Sequence, residues 1–227
     1  MPTQPSVVVF DVNETLSDMS PMADRFTETG APASLAKLWF ATLLRDGFAL
    51  TAAGDNVAFA EIGAEALRGL LAGLDLNMET DAAVDHIMQG MAGLGLHPDV
   101  PEGVSALKAA GYRLVTLTNG STRVAEKLFN AAGIRDSFDR LLSVEDAPAW
   151  KPARAAYDHA ATACGTDPEH LLLVAVHPWD IHGAARAGLG TAWINRSGAT
   201  YPAYFTKPDY TVASLPDLAA ALANAAG

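Results

Sequence analysis

The sequence contains little of several features that separate broad classes of protein. Cys164 is its single cysteine, which excludes an internal disulfide bond and is typical of a reducing compartment. No apolar run approaches the roughly 18 residues that a membrane helix needs. The N-terminus lacks the basic stretch and the long apolar region of a signal peptide. We therefore expect a cytoplasmic protein without membrane contacts.

Basic residues are also scarce, since 15 Lys and Arg stand against 26 Asp and Glu, for a net charge of -11. This balance argues against nucleic-acid binding as the main activity, because phosphate contacts need clustered Lys and Arg. Half of the 227 residues are hydrophobic and only 18% are charged, so the chain can bury a sizeable core. A chain of this length is one large domain or one domain with an insertion.

Strand-like and helix-like segments alternate from about residue 98 onward. This alternation predicts an α/β fold with a parallel, doubly wound sheet. The first strand is the short apolar run at 7–10, which is typical of a buried parallel strand. The other predicted strands are 112–117, 141–143, 171–176 and 191–195, and the helices are 103–110, 122–132, 153–164, 180–187 and 215–225.

Residues 17–97 do not follow that alternation. Segments 34–45, 57–74 and 81–94 have the helical spacing of apolar residues. We therefore predict a helical insertion at 17–97 that separates two parts of the core, 1–16 and 98–227. The alternative is a wide helical layer packed on the sheet, but about 80 residues are enough for a small bundle.

Four polar segments lie at or near predicted strand ends, where open α/β sheets bind ligands. They are 11–16, 117–121, 151–152 and 174–180. The first has the pattern Asp-x-x-x-Thr-Leu, with Asp11 and Thr15. In this order the four segments resemble the motifs of the haloacid dehalogenase superfamily, and over essentially the whole chain the likeness is to type II (L-2-) haloacid dehalogenases. The resemblance implies a Rossmann-like core and a helical cap that closes over the active site.

The resemblance also implies a set of site residues. Asp11 would be the covalent nucleophile, and Thr15 and Asp180 would orient Asp11 and Lys151. The ammonium of Lys151 would keep Asp11 ionised and neutralise a bound anion. The expected substrate-binding residues are Asn13, Thr118, Asn119, Gly120, Tyr157, Trp179, Trp39 and Phe40. Taken alone, 117–121 reads equally as a capped strand-to-helix turn, Lys151-Pro152 as a solvated helix start, and Trp39 and Phe40 as core of the insertion.

Two positions argue against phosphoryl transfer. Phosphatases of the superfamily carry a second Asp, as general acid, where this chain has Asn13, which has no proton to transfer. They carry an acidic Mg²⁺ ligand where this chain has Val176, which offers no oxygen donor. We therefore expect no metal and no cofactor.

The chain also departs from common 2-haloacid dehalogenases. Glu14 replaces a Gly, Ala175 a Ser and His177 an Asn. The Arg that holds the departing halide aligns with Leu35, and Arg25 and Arg45 are candidate substitutes. We hypothesise that Glu14 and His177 form a dyad, in which one ring nitrogen of His177 binds Glu14 and the other deprotonates the hydrolytic water. A structural histidine at a strand end is the alternative.

The motifs together predict hydrolytic dehalogenation of short 2-haloalkanoic acids to 2-hydroxy acids through an aspartyl ester. Two alternatives stay open: a Mg²⁺-dependent phosphatase of the same fold, and a catalytically silent protein that binds small acids. The expected partner is a small halogenated carboxylic acid, and the resemblance adds a possible homodimer.

Overall fold

The computed structural model describes residues 4–226. Within that range it contains one six-stranded parallel sheet, in the order β3-β2-β1-β4-β5-β6. The strands are β1 Val7–Phe10, β2 Arg113–Thr118, β3 Arg140–Ser143, β4 Leu171–Ala175, β5 Gly190–Ile194 and β6 Tyr210–Val212. The sheet confirms the predicted α/β class. The sequence patterns missed only the short β6, which is half-buried at the sheet edge.

The central strand β1 lies between β2 and β4, and all four of its residues are fully buried. Val9 is in register with Val115 of β2 and Leu173 of β4. Continuous apolar sequence is expected here, because a parallel strand covered on both faces has no side open to water. The shared register brings the carboxyl ends of the three strands to one edge of the sheet.

Helices cover both faces of the sheet, so the doubly wound prediction is also confirmed. Val7 and Val9 point into one apolar cluster, and Val8 and Phe10 point into another. The core helices are α5 Val100–Ala109, α6 Thr122–Ala131, α7 Arg154–Cys164, α8 Pro178–Ala187 and α9 Leu215–Ala226. Helices α7 and α8 pack on the first face, and α5, α6 and α9 pack on the second.

Four helices form the segment between β1 and α5. They are α1 Met22–Glu28, α2 Leu35–Ala53, α3 Phe59–Leu71 and α4 Thr80–Met91. The sequence patterns indicated the last three and missed the short α1. Helix α2 continues past the predicted end at 45 and stops at Gly54, which has φ 93°. Glycine adopts this left-handed conformation at little cost, so it ends the helix.

The chain enters and leaves this helical segment through two backbone segments that lie side by side. Ser17 and Leu96 form an antiparallel bridge. The amide of Asp18 donates to the carbonyl of Gly95 at 2.8 Å, and the amide of His97 donates to the carbonyl of Leu16 at 2.9 Å. The crossing lies at the predicted limits of the insertion, 17 and 97. The division into two domains remains a prediction.

The described residues contain no helix that is both long and apolar enough to cross a membrane.

Candidate active site

Asp11 follows β1 directly and is only 4% exposed. Its Oδ1 accepts a hydrogen bond from Lys151 Nζ at 2.9 Å, and its Oδ2 accepts one from Thr15 Oγ1 at 2.7 Å. The amide of Val176 in turn donates to Thr15 Oγ1 at 3.0 Å. The Thr15 hydroxyl therefore accepts from the Val176 amide and donates its own hydrogen to Asp11. The carboxylate is therefore held at both oxygens.

Lys151 is fully buried and joins two carboxylates. Its Nζ also donates to Asp180 Oδ2 at 2.6 Å. Burial alone would lower the pKa of Lys151, but the charges of Asp11 and Asp180 outweigh it and raise that pKa. Burial alone would raise the pKa of Asp11, but Lys151 and His177 hold it well below its usual range. The candidate nucleophile is therefore a carboxylate anion at neutral pH.

Tyr157 fixes the second carboxylate of this group. Its hydroxyl donates to Asp180 Oδ1 at 2.6 Å, and its ring is fully buried. Burial raises the pKa of Tyr157 well above its ordinary value, so the phenol keeps its proton. A Cβ added at Gly183 would lie 2.5 Å from the Tyr157 hydroxyl oxygen, so only glycine fits beside it. We expected Tyr157 to bind substrate, and the structure instead places its hydroxyl on Asp180.

Asn119 also differs from expectation. Its Nδ2 donates to the carbonyl of Lys151 at 3.2 Å, and its Oδ1 accepts from the amide of Lys151 at 3.0 Å. These two bonds hold the Lys151 backbone, so the Asn119 side chain is not free for a substrate carboxylate. The amide of Gly120, expected to bind an anion, donates to Thr118 Oγ1 at 3.0 Å. Asn13 lies beside this turn, with Nδ2 3.5 Å from where a Cβ of Gly120 would stand.

His177 bridges the nucleophile and Glu14. Its Nδ1 lies 3.1 Å from Asp11 Oδ2, and its Nε2 lies 2.8 Å from Glu14 Oε2. Burial lowers the pKa of His177, but hydrogen bonds and charge from Asp11 and Glu14 raise it to about 9. The predicted Glu14–His177 contact is present. The second nitrogen, which we expected to face water, is instead occupied by Asp11, so resting His177 is an imidazolium with two carboxylate partners.

Glu14 reaches His177 from an unusual backbone conformation. Its φ is 60°, the only positive φ of a non-glycine residue in the part of the chain that the structure describes. A residue with a Cβ pays about 1 kcal/mol or more for this left-handed conformation. The family resemblance implies a Gly at this position, and glycine adopts this φ at little cost. In this chain the loop carries a carboxylate at the same point.

Aromatic rings line the site on the side of His177. The ring of Trp179 stacks on His177 at 5.0 Å between centroids, and Phe40 of α2 lies 6.3 Å from the same imidazole. Phe48, also on α2, packs edge-on against Trp179 at 5.0 Å. The Lys151 ammonium lies 6.0 Å from the centre of the Trp179 ring. These rings give the imidazole largely apolar surroundings, in which charge interactions are stronger than in water.

Comparison with known proteins identifies the family. A family model described as haloacid dehalogenase-like hydrolase matches residues 5–188. This chain belongs to that family. It is 31% identical over 224 residues to an (S)-2-haloacid dehalogenase of Pseudomonas sp. (strain YL), a match that covers 97% of this chain and 95% of that protein.

Two further relatives of this haloacid dehalogenase-like hydrolase bear on its chemistry. Haloacetate dehalogenase H-2 of Moraxella sp. (strain B) is 30% identical, over 90% of this chain and 92% of that protein. The L-2-haloacid dehalogenase of Xanthobacter autotrophicus, solved with chloropropionic acid covalently bound, has a TM-score of 0.86 and 25% identity. That match covers 96% of this chain and 98% of the solved one.

Trp39 lies away from the site of this haloacid dehalogenase-like hydrolase. Its fully buried indole donates to the carbonyl of Gly63 at 2.9 Å and packs against Phe26, inside the helical insertion. The expectation that Trp39 binds substrate is therefore wrong, because its indole N–H is already bonded and its side chain is fully buried inside the insertion. Phe40, the next residue, turns toward His177 and keeps its place in the candidate site.

The halide-binding Arg of common relatives has no counterpart at the positions we considered. Arg25 pairs with Glu28 at 3.5 Å, and Arg45, whose side chain is 70% exposed, pairs with Asp46. Leu35 precedes Phe40 by five residues, which is about 140° around a helix of 3.6 residues per turn. Because Phe40 faces His177, Leu35 faces away, and our alignment of Leu35 with the Arg does not mark the site-facing position.

Trp150 is a site-supporting residue that the sequence patterns missed. Its indole donates to the carbonyl of Val57 at 3.1 Å, and its ring stacks on Phe59 at 5.9 Å. A Cβ added at Gly47 of α2 would lie 2.5 Å from Cε3 of Trp150, so the helix backbone packs directly on the ring. Trp150 thus anchors the helical insertion next to Lys151. The sequence signal that could have indicated Trp150 is its place directly before Lys151.

The donor set does not suit a metal ion. Within residues 4–226 no group of three or more His, Cys, Asp or Glu side chains could hold one. The Lys151 ammonium lies between Asp11 and Asp180, where its own charge already neutralises the two carboxylates.

We expect stability to depend on pH through His177. Its pKa is about 9 in the fold against an ordinary 6.5, so its contribution is complete below pH 6.5 and disappears as pH rises through 9. The shift corresponds to about 3 kcal/mol. Denaturant unfolding between pH 6 and 10 measures it, and the decline should be absent in His177→Asn. An equal decline in that variant would assign the pH dependence to other groups.

Proposed function

We propose that this haloacid dehalogenase-like hydrolase converts short 2-haloalkanoic acids to 2-hydroxy acids through an ester on Asp11. The observation that carries the proposal is the buried, ionised Asp11 held by Lys151 and Thr15. Asn13 and Val176 stand where a phosphatase would need acidic residues. The names of the relatives, (S)-2-haloacid dehalogenase and haloacetate dehalogenase, support this substrate class.

In the first step Asp11 displaces the halide. Oδ2 already accepts hydrogen bonds from Thr15 and His177, whereas Oδ1 accepts one, from Lys151. Oδ1 therefore has the more available lone pair and is the proposed nucleophile. Its bond to the 2-carbon forms as the carbon–halogen bond breaks, with inversion at that carbon and departure of halide. The covalently bound chloropropionic acid in the Xanthobacter relative supports this intermediate.

In the second step water hydrolyses the ester. Alkylation at Oδ1 makes Oδ2 the ester carbonyl oxygen, which keeps the Thr15 and His177 donors and so gains stabilisation as negative charge develops there. Water attacks Cγ while it gives one proton to Glu14, and the Cγ–Oδ1 bond to the substrate breaks. The leaving alkoxide takes that proton from Glu14 and departs as the 2-hydroxy acid, and the second water proton leaves the regenerated Asp11 carboxylate to solvent. His177 already carries a proton on each nitrogen. Glu14, whose Oε1 makes no hydrogen bond within the described residues, is therefore the proposed acceptor of the water proton, and His177 holds its Oε2.

The substrate carboxylate requires a positive partner in this acidic protein. An ammonium has three N–H donors, and Lys151 uses two of them on Asp11 and Asp180. We assign the third to the substrate carboxylate, with the Asn13 amide and the 118–120 turn beside it. The departing halide would contact Phe40 and Trp179.

In this scheme residues 17–97 are a cap domain that closes on the core of 1–16 and 98–227. The homodimer stays a prediction.

The test is halide release from L-2-chloropropanoate with excess EDTA present. We expect turnover with EDTA and unchanged turnover with Mg²⁺, together with one inversion in the 2-hydroxy acid product. Ion chromatography and chiral chromatography measure the two results. Hydrolysis of p-nitrophenyl phosphate that needs Mg²⁺, with no halide release, would establish the phosphatase instead. No turnover of L-2-chloropropanoate, p-nitrophenyl phosphate or chloroacetate would favour the protein that only binds small acids.

A further inference from the structure

We infer that His97 is a positioning residue: it holds the Glu14 carboxylate against His177 and couples the helical insertion to ester hydrolysis. The inference rests on the proposed function, because it assigns His97 to the second step of that reaction. His97 lies at the last residue of the predicted insertion, far along the chain from every motif that the sequence indicated. His97 nevertheless contacts residues 11–16, the nucleophile loop that carries Asp11 and Glu14, directly.

The contact is a hydrogen bond to the Glu14 backbone. His97 Nε2 lies 2.9 Å from the carbonyl oxygen of Glu14. A carbonyl can only accept, so Nε2 carries the hydrogen and donates it. Glu14 has φ 60°, a conformation that persists in a residue with a Cβ only when surrounding contacts hold it. The bond from His97 fixes the orientation of the Glu14 carbonyl and therefore the direction in which the carboxylate projects.

The location of His97 connects this bond to the insertion. Its amide donates to the carbonyl of Leu16, and the preceding residue, Leu96, bridges with Ser17. The imidazole is therefore attached to the pair of backbone segments through which the insertion joins the core. Any displacement of the insertion about this crossing would move the His97 donor relative to the Glu14 carbonyl. Hydrolysis would then proceed at full rate only when the insertion has the arrangement seen here.

A double-mutant cycle separates this positioning from general stabilisation of the crossing. The variants are His97→Ala, Glu14→Gln and the two combined, with His97→Gln to restore an N–H donor. Rapid-quench measurements follow halide release, which reports ester formation, and 2-hydroxy acid release, which reports ester hydrolysis. His170→Ala is the control, because His170 precedes β4 at the opposite end of the sheet from Asp11, and among the described residues its side chain has one polar contact, at 3.9 Å with Glu169.

We expect His97→Ala to slow hydrolysis by about 10- to 100-fold, because misplacing a catalytic group by about 1 Å has an effect of this order. The halide burst should change less than twofold. In the Glu14→Gln background His97→Ala should have no further effect, His97→Gln should recover most of the rate, and the His170 control should match the wild type.

Three outcomes would overturn the inference. An equal loss from His97→Ala with and without Glu14 would mean that His97 acts independently of Glu14. A matching loss in the halide burst would mean that it supports the whole site. An unchanged hydrolysis rate would remove it from the reaction. If the wild-type enzyme releases no halide, the proposed function itself fails, and that result is visible before any variant is compared.

Discussion

Replacing Asp11 with Asn is expected to abolish halide release from L-2-chloropropanoate, with a loss on the order of 10⁴-fold or more. The amide has nearly the shape of the carboxylate and can still meet Thr15 and Lys151, but it offers no anionic oxygen to attack carbon. The measurement is initial-rate halide release with EDTA present. Intact-protein mass spectrometry after a substrate pulse should show no added mass, whereas the wild type should carry the 1-carboxyethyl ester on Asp11.

Asp11→Glu is the matched comparison, because it keeps the charge and moves the carboxylate outward by one methylene. We expect at least a 100-fold loss there as well, since the attack depends on placement as much as on charge. Halide release by Asp11→Asn at more than one-tenth of the wild-type rate would contradict the ester mechanism. It would point to direct attack by water at the 2-carbon, with Asp11 as a base.

Lys151→Met is expected to lower the free energy of unfolding by about 3–5 kcal/mol near pH 7 and to remove activity. Methionine has a similar length but removes the only ammonium that joins the two buried carboxylates, so Asp180 loses its counter-ion and Asp11 keeps only His177. The pKa of Asp11, which Lys151 helps to hold low, would rise, so the carboxylate would lose part of the stabilisation that keeps it ionised. Urea unfolding gives the stability, and halide release gives the activity.

The stability deficit of Lys151→Met should shrink as the pH falls, because protonation removes the repulsion between the two carboxyl groups. Lys108→Met is the control: Lys108 also pairs with a carboxylate, Asp139, but its side chain is 42% exposed. An exposed pair contributes at most about 1 kcal/mol. Equal destabilisation by the two variants would show that the buried ion cluster is not the main cause.

The charged residues of the site were predictable because each is tied to a local pattern. Asp11 ends an apolar strand, and Lys151 and Asp180 follow in the expected order along the chain. Parallel strands with right-handed crossovers bring such positions to one edge of the sheet, regardless of the length and sequence of the connecting loops. The assembly of Asp11, Thr15, Lys151 and Asp180 therefore needed only the order of the elements.

The interactions of the polar side chains were less predictable. Tyr157 and Asn119 were expected to contact substrate, yet they hold Asp180 and Lys151. His177 was expected to leave one nitrogen for water, yet both nitrogens meet carboxylates. Each of these side chains had several partners within reach, and the choice depends on rotamers and on burial that a sequence does not specify.

By itself the sequence determined the parallel sheet, the helical insertion and the residues at the strand ends. These follow from the hydrophobic periodicity of short segments and from the order of those segments along the chain. Only the tertiary structure decided the pairings. Lys151 and Asp11 are 140 residues apart, and their contact exists because the loop between β3 and α7 returns to the carboxyl end of β1, where Asn119 holds the Lys151 backbone. His97, Phe40 and Trp150 join the site in the same way: they reach it through the packing of the insertion on the core, which no local pattern encodes.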